Sequence, residues 1–248
     1  SYDGIITALD KVFEGERYEE FKDINVLPAN SKKRMITTGG YFEYLKIAEG
    51  CDKRCTYCII PKLRGNYRSV PMEQLLSQAA YLAEQGVKEL ILVAQETTVY
   101  GKDLYGEKSL HKLLKELCKI QGIQWIRILY CYPEEIYPEL IQTMKEETKI
   151  CHYLDLPIQH CSDRILKRMG RRTTKQELID IVQTLRKEIP DIILRTTLIT
   201  GFPGETQEDH EELLDFIDRL EFDRLGVFTY SAEEDTPAAL MPDQIDEE

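Results

Sequence analysis

From Tyr41 onward the chain alternates between two hydrophobic rhythms. Six apolar runs rich in β-branched and aromatic residues, YLKIAE, ELILVAQ, WIRILYCY, YLDLPIQ, IILRTTLIT and LGVFTY, predict strands. Between them apolar residues return every three or four positions, as on one face of a helix. The first such stretch opens at Pro71 and closes at Gly86, with Leu75, Leu76, Ala79 and Leu82 facing inward. Others run from Ser109 to just before Gly122 and from about Glu134 to Glu147. A capping box of Thr174 and Glu177 opens the fourth helix, which stops at Pro190. The fifth starts at Thr206 with acids in its first turn, where they suit the helix dipole. Ahead of this series, residues 1–38 hold one short amphipathic helix, with Ile5, Ile6, Leu9, Val12 and Phe13 on one face, then a polar stretch ending in Gly39-Gly40. The expected organisation is a linker or docking segment over 1–38, a core over 39–231 and an acidic linker over 232–248.

Strands separated by helices imply right-handed crossovers and one parallel sheet, an α/β fold. An open doubly wound sheet and a curled partial barrel of six β/α units both satisfy the pattern. In either, chemistry gathers at the carboxyl ends of the strands. Gln95, Tyr132, Gln159, Gly201 and Tyr230 stand at those ends.

The chain of 248 residues is 42% hydrophobic and 31% charged, with no apolar run long enough to cross a bilayer and no signal-peptide pattern, so a cytoplasmic protein is expected. A net charge of -12 argues at first against a nucleic-acid partner. The acid is concentrated, however: residues 205–248 hold 16 acids and 2 bases. Lys62, Arg64 and Arg68 form one basic cluster in the remainder, and Arg164, Lys167, Arg168, Arg171 and Arg172 a second. The second suits a solvated surface as well as a partner-binding patch.

Seven cysteines, an odd number, argue against a disulfide framework. Cys118 continues the apolar face of Leu110, Leu113, Leu114 and Leu117, while Cys131, Cys151 and Cys161 are scattered; core packing is expected for all four. Only Cys51, Cys55 and Cys58 form a set, in EGCDKRCTYCIIPKLRG directly after the first strand. The spacing admits three readings. A structural zinc site needs a fourth thiolate or imidazole, and the sequence has no second Cys-x2-Cys. A ferredoxin-type cluster recruits a fourth cysteine, which Cys131, Cys151 or Cys161 could supply. A cubane with one open iron leaves its last position to a chelating small molecule.

At this point the residues resemble the radical S-adenosylmethionine superfamily, whose signature is CxxxCxxC in the loop after the first strand with an aromatic before the last cysteine, here Tyr57. YLKIAEGC, IIPKLRG, LKRMGRR and GFPGET are similar to the methylthiotransferase branch, from Gly40 onward. LVAQETT, LYCYPEEI and PIQH resemble the members that modify an aspartate of a small-subunit ribosomal protein. The members acting on tRNA usually carry asparagine where this chain has Glu96 and serine where it has His160, although a tRNA substrate stays the alternative. A further alternative is an iron–sulfur electron-transfer module with no substrate of its own.

The resemblance implies a partial TIM-like barrel and a 4Fe-4S cluster held by Cys51, Cys55 and Cys58, with S-adenosyl-L-methionine on the free iron. It implies one-electron cleavage to a 5'-deoxyadenosyl radical, with flavodoxin or ferredoxin as an electron donor. No residue acts as a catalyst itself, because the cofactor carries the hard chemistry. Gln95 and Glu96 stand where the wider superfamily has a Gly-Gly-Glu turn receiving the methionine amine. Tyr57, Gln159, Arg195, Thr197 and Gly201 are further candidate cofactor contacts. Arg195, charged within an apolar strand, calls for a ligand or a carboxylate partner. Lys62, Arg64 and Arg68 are expected either to tune an anionic cluster or to meet the partner. His160 and Tyr132 are expected to be structural. Family members also carry an amino-terminal domain with a second cluster and a carboxy-terminal β-barrel, so this chain is expected to cleave S-adenosylmethionine without completing methylthiolation alone.

Overall fold

The computed structural model describes residues 4–27 and 35–245, so residues 28–34 of the expected linker and 246–248 of the acidic stretch lie outside the described residues. In chain order the elements are α1 (Ile5–Phe13), β1 (Phe42–Lys46), β2 (Ala48–Glu49), α2 (Ile60–Arg64), β3 (Arg68–Ser69) and α3 (Met72–Glu84). Then come β4 (Glu89–Val93), α4 (Lys102–Tyr105), α5 (Leu110–Cys118), β5 (Trp125–Ile128), α6 (Pro138–Glu146) and β6 (Ile150–Asp155). The series closes with α7 (Asp163–Arg168), α8 (Lys175–Glu188), β7 (Ile193–Thr200), α9 (Gln207–Leu220) and β8 (Arg224–Thr229).

Six strands form one parallel sheet in the order β1-β4-β5-β6-β7-β8. Each long strand pairs with the next long strand in sequence, so the sheet grows in one direction and never reverses. The two faces differ. Leu90, Leu92, Ile126, Ile128, Leu194 and Leu198 are buried under the helices, while Ile91, Arg127, Arg195 and Thr197 on the other face are only half-buried. A doubly wound sheet covers both faces and reverses its strand order at a switch point. One covered face and an unbroken order are the features of a curled partial barrel, which decides between the two expected architectures. The main core fills the space between sheet and helices with Leu75, Ala79 and Leu82 of α3, Leu113, Leu114 and Leu117 of α5, and Leu178, Val182 and Leu185 of α8. Cys118, Cys131 and Cys161 belong to this core, as expected, whereas Cys151, for which the same was expected, is only half-buried on β6.

The differences from the sequence pattern have local causes. YLKIAE is not one strand: after Ile47 the chain leaves the sheet, and Ala48–Glu49 pair antiparallel with Arg68–Ser69. That pairing closes the base of the cysteine loop. WIRILYCY stops as a strand at Ile128 because Tyr130 adopts φ 58°, in the left-handed region. The helix expected from Glu134 begins only at Pro138, after a turn of 3-10 helix at Pro133–Glu135. α2, α4 and α7, of five, four and six residues, are too short to show a period. The Thr174–Glu177 capping box forms, and Thr206 makes a second one with Asp209. The apolar residues of α1 are largely exposed, from Leu9 at 46% to Phe13 at 85%.

Within the expected acidic linker, residues 236–241 are docked. Ala238 is fully buried and donates its N–H to the Thr56 carbonyl at 2.9 Å. Among the described residues, no helix is long and apolar enough to cross a membrane.

Candidate active site

The cysteine loop starts with a residue that only glycine can be. Gly50 takes φ +80°, and a Cβ there would collide with the Asn66 carbonyl oxygen and lie 2.6 Å from that of Gly65. Its N–H donates to Oε1 of Gln95 at 2.9 Å, tying the loop to the end of β4. The Cys51 N–H donates to the Gly65 carbonyl at 3.2 Å and the Cys58 N–H to the Cys55 carbonyl at 3.1 Å. The far side is held by the LKRMGRR segment: Thr56 donates its N–H to the Met169 carbonyl at 2.9 Å and its hydroxyl to the Arg168 carbonyl at 2.8 Å. A small apolar cluster, separate from the main core, lies beneath: Ile165, Met169, Phe202 and Ala238, with Tyr57 and Tyr230 packed against it. Tyr57 meets Phe202 edge-on at 6.4 Å between centroids, and Phe202 meets Tyr230 at 5.2 Å. Loop, α7, the GFPGE turn and the docked tail thereby form one unit.

Cys51 and Cys55 are buried and Cys58 is half-buried. Burial pushes the Cys51 thiol up to about 11, with the neighbouring Cys55 and Cys58 adding to the shift, and Cys58 is raised for the same first reason. Left alone, Cys51 and Cys58 are protonated, unreactive thiols; a bound cation is what would make them thiolates. Among the described residues no three His, Cys, Asp or Glu side chains are gathered tightly enough to hold a single metal ion. A mononuclear zinc centre needs that convergence. A cubane does not, because each thiolate takes a different iron. Cys51 and Cys58 line a cavity of about 370 Å³ with Gln95, Tyr130 and Tyr132. The Tyr132 hydroxyl lies 3.2 Å from Cys55 Sγ. Cys131 and Cys161 are fully buried in the main core and Cys151 lies near the start of β6, at the opposite end of the strand from the rim, so the loop presents three thiols and not four. The residues present therefore fit a cluster with one iron left for another ligand.

The rim residues divide. Gln95 and Glu96 point to opposite sides of the chain: Gln95 lines the cavity of the cysteines, and Glu96 a second cavity of about 360 Å³ with Cys51, Lys53, Tyr67 and Glu135. Arg195 has the carboxylate partner its strand required, Asp155, which accepts from Nη1 at 2.6 Å; the two residues are in register across β6 and β7. Gln159 takes φ 72° and prolongs the β6–β7 pairing, donating its N–H to the Thr197 carbonyl at 2.9 Å. Thr197 is half-buried on the same face as Arg195. Gly201, φ +71°, opens the turn that Glu205 closes by accepting the Phe202 N–H at 3.0 Å. His160 is fully buried, its Nδ1 accepting the Ser162 N–H at 3.0 Å and its Nε2 facing Glu205 at 3.6 Å. That is the structural role expected of it.

The two basic clusters differ in how they are anchored. Lys62 reaches Asp235, Arg64 lies 4.0 Å from Glu49 and Arg68 caps backbone carbonyls of Asn66 and Arg64; Lys62 and Arg64 have side chains at least half exposed. The second cluster is no simple solvated surface. Arg168 donates to the Pro203 carbonyl at 2.9 Å, Arg164 pairs with Asp209, and Arg171 is buried. Arg171, Lys53 and the Tyr132 hydroxyl stand together beside the cysteine loop, a grouping that no local pattern in the sequence shows. No spacing rule links positions 53, 132 and 171, although all three stand in loops at the same sheet edge.

Glu96 supports a pH prediction. Burial pushes its carboxyl up to about 7 against the hydrogen bonds from Thr98 that favour the ionised form. Oε2 has no partner. Between the ordinary glutamate value of ~4.3 and about 7, the unfolded chain releases this proton while the folded chain keeps it. Stability should fall as pH rises through that window and level off above it, a share on the order of 3 kcal/mol. Denaturant unfolding of the metal-free chain from mildly acid to neutral pH should show a flatter profile for Glu96→Gln. Parallel profiles would remove Glu96 as the cause.

A curled half-barrel whose first strand runs into a three-thiol loop defines a class of cluster-dependent enzymes. The sequence matches the Radical SAM superfamily over residues 45–217, and the chain belongs to that superfamily. It is 68% identical over 99% of its length to "Ribosomal protein uS12 methylthiotransferase RimO" of Lachnoclostridium phytofermentans, of which it covers 56%. It is 60% identical over 92% of its length to the protein of that name from Clostridium perfringens strain SM101, covering 51% of it. The chain thus spans about half the length of these curated relatives. Among solved structures it is similar in fold to TsrM from Kitasatospora setae, a radical S-adenosylmethionine methyltransferase with cobalamin and a [4Fe-4S] cluster bound (TM-score 0.67, 18% identity, 80% of this chain and 38% of that one). SuiB of Streptococcus suis bound to S-adenosylmethionine is a second (TM-score 0.55, 16% identity, 84% and 43%).

Proposed function

We propose that this chain is the radical S-adenosylmethionine core of a methylthiotransferase acting on ribosomal protein uS12. The observation that carries the reading is the 68% identity, over 99% of the chain, to a protein of that name. The cysteine loop supports it independently. Cys51, Cys55 and Cys58 would hold a 4Fe-4S cluster, with S-adenosylmethionine completing the open position. When bound, the cluster, reduced by an external one-electron donor, and S-adenosylmethionine would together supply one-electron radical chemistry at an unactivated carbon.

The chain's own residues bind and orient. Gln95 holds the start of the cysteine loop through Gly50 and faces the cavity of about 370 Å³. The Arg195–Asp155 pair, Thr197 and Gly201 offer charge and polar contacts on the open face of the sheet for the carboxylate, ribose and base of the cofactor. The buried apolar cluster under Tyr57 excludes water from the back of the loop. Lys62, Arg64 and Arg68 would meet the protein substrate or a flavodoxin- or ferredoxin-like donor, both of which fit cytoplasmic work on a ribosomal protein.

Anaerobic reconstitution with iron and sulfide, then dithionite and S-adenosylmethionine, tests the reading. Release of 5'-deoxyadenosine is expected. A cluster whose spectrum never responds to S-adenosylmethionine would favour an electron-transfer module. Substrate choice is read on a protein of the relatives' full length, offered uS12 and tRNA side by side; methylthiolation of the tRNA would overturn the uS12 assignment.

A further inference from the structure

Among the described residues, Arg171 is a buried cation with two guanidinium nitrogens left without a partner. The residue is 5% exposed, and its one ion pair is Nη2 to Glu134 Oε2 at 3.3 Å. A guanidinium has five N–H donors, and of these Nε and Nη1 are buried without an acceptor. Each buried donor left unmade costs about 1–3 kcal/mol, and a buried cation needs a well-formed partner. Natural folds keep such groups where something else completes them.

The surroundings show where that completion lies. Cζ of Arg171 stands 4.2 Å from the centroid of the Tyr132 ring, a stacked cation. Lys53 Nζ lies 4.9 Å from the same ring. The hydroxyl of that ring is the group 3.2 Å from Cys55 Sγ. Cys55, Tyr57 and Tyr132 all lie close enough to Arg171 to act on its charge. The backbone leading into Arg171 is tied to the same loop: Met169 and Arg168 carbonyls hold Thr56, and Gly170, at φ +72°, passes so near that a Cβ would be 2.8 Å from the Arg54 carbonyl oxygen. A cation carried in on this segment cannot swing away to solvent. By contrast, Lys62 and Arg64, which follow the cysteine motif in sequence, have side chains at least half in water, where their fields are screened.

We infer that Arg171 is a positioning residue for the cluster held by the three thiols: its fixed, buried positive charge and free N–H groups stabilise the reduced, more anionic cluster and so raise its reduction potential. The inference rests on the radical S-adenosylmethionine reading. Hydrogen bonding and charge around the sulfurs are established levers on cluster potential. Reduction adds one electron to an already anionic assembly of thiolates, sulfides and irons, so a nearby cation favours the reduced form and its loss disfavours it. Tyr132 transmits the same influence to Cys55 through its hydroxyl.

The test is the midpoint potential of the reconstituted 248-residue chain, titrated with dithionite and redox mediators and followed by electron paramagnetic resonance, with iron content measured on each sample. Arg171→Gln removes the charge and keeps donors. It should load iron as the parent does, with a potential more negative by at least one tenfold step in the reduction equilibrium, 59 mV for one electron. Arg171→Lys keeps the charge and should lie nearer the parent. A loaded Gln variant at the parent's potential overturns the inference. So does equal loss of the cluster from both variants, which would mark Arg171 as a purely structural clamp. A parent chain that takes up no iron–sulfur cluster fails the underlying reading instead, and the two failures are distinguished by that control.

Discussion

Cys55→Ala is expected to abolish cluster loading and, with it, S-adenosylmethionine cleavage, reducing 5'-deoxyadenosine release to the level of the uncoordinated chain. Three thiolates are the minimum that leaves one iron open, so losing one leaves a second open iron in place of a ligand. Of the three, Cys55 is the most firmly placed: it is buried, and Tyr132 holds its sulfur at 3.2 Å. The fold should survive, because the cysteine loop is anchored through Thr56, whose N–H donates to Met169, whose hydroxyl donates to Arg168 and whose carbonyl accepts from Ala238, not by the thiols. Iron and sulfide counts after anaerobic reconstitution, beside far-ultraviolet circular dichroism, check both halves. A Cys55→Ala chain that binds four irons and cleaves the cofactor would overturn the assignment of Cys55. Cys118→Ala is the control. Its sulfur packs in the face of α5, and it should lose some stability but no iron.

Gly50→Ala should be the most damaging single methyl addition in the site. The positive φ of 80° costs an alanine about 1–3 kcal/mol, and the Cβ at 2.6 Å from a backbone oxygen adds overpacking of about the same size. That oxygen belongs to Gly65, whose own carbonyl accepts from Cys51, and the Asn66 carbonyl oxygen lies nearer still, so the clash cannot be relieved by rotating a side chain. Relief has to move the loop, breaking the Gly50–Gln95 bond and displacing Cys51 from the cavity it lines with Cys58. The expected outcome is a thermal midpoint lower by several degrees, at about 2–4 °C per kcal/mol for a domain of this size, with impaired cluster loading at temperatures where the chain is still folded. Gly86→Ala provides the comparison: it also has positive φ, but nothing lies within 4 Å of the added Cβ. It should show the conformational strain alone and load iron normally. Equal cluster loading by the Gly50 and Gly86 variants would show that the close approach at Gly50 is unimportant.

Helix and strand existence, the order of the six strand–helix units and the inward faces of α3 and α5 were legible because each rests on a local period. The three-cysteine set was legible for the same reason: its spacing lies within eight residues, and its place after the first long strand puts it at the active edge of a parallel sheet. The capping box at Thr174 and the need of Arg195 for a carboxylate also came from local chemistry, and the fold supplied Asp155 as that carboxylate.

What the sequence left open depends on groups that meet only after the sheet has curled. Whether both faces of the sheet are covered is not a property of any one strand, so the choice between an open sheet and a half-barrel waited for the strand order and the unequal burial of Leu92 and Ile91. The same holds for the charges around the thiols. Proximity along the chain pointed to Lys62, Arg64 and Arg68, but electrostatics acts through space. Closing the barrel carries Arg171 and Tyr132 to the cysteine loop and leaves Lys62 and Arg64 facing water. Local pattern thus determined which residues could be ligands, while the tertiary fold decided which cation and which hydroxyl stand beside them, because a contact across a sheet edge joins residues that no sequence period relates.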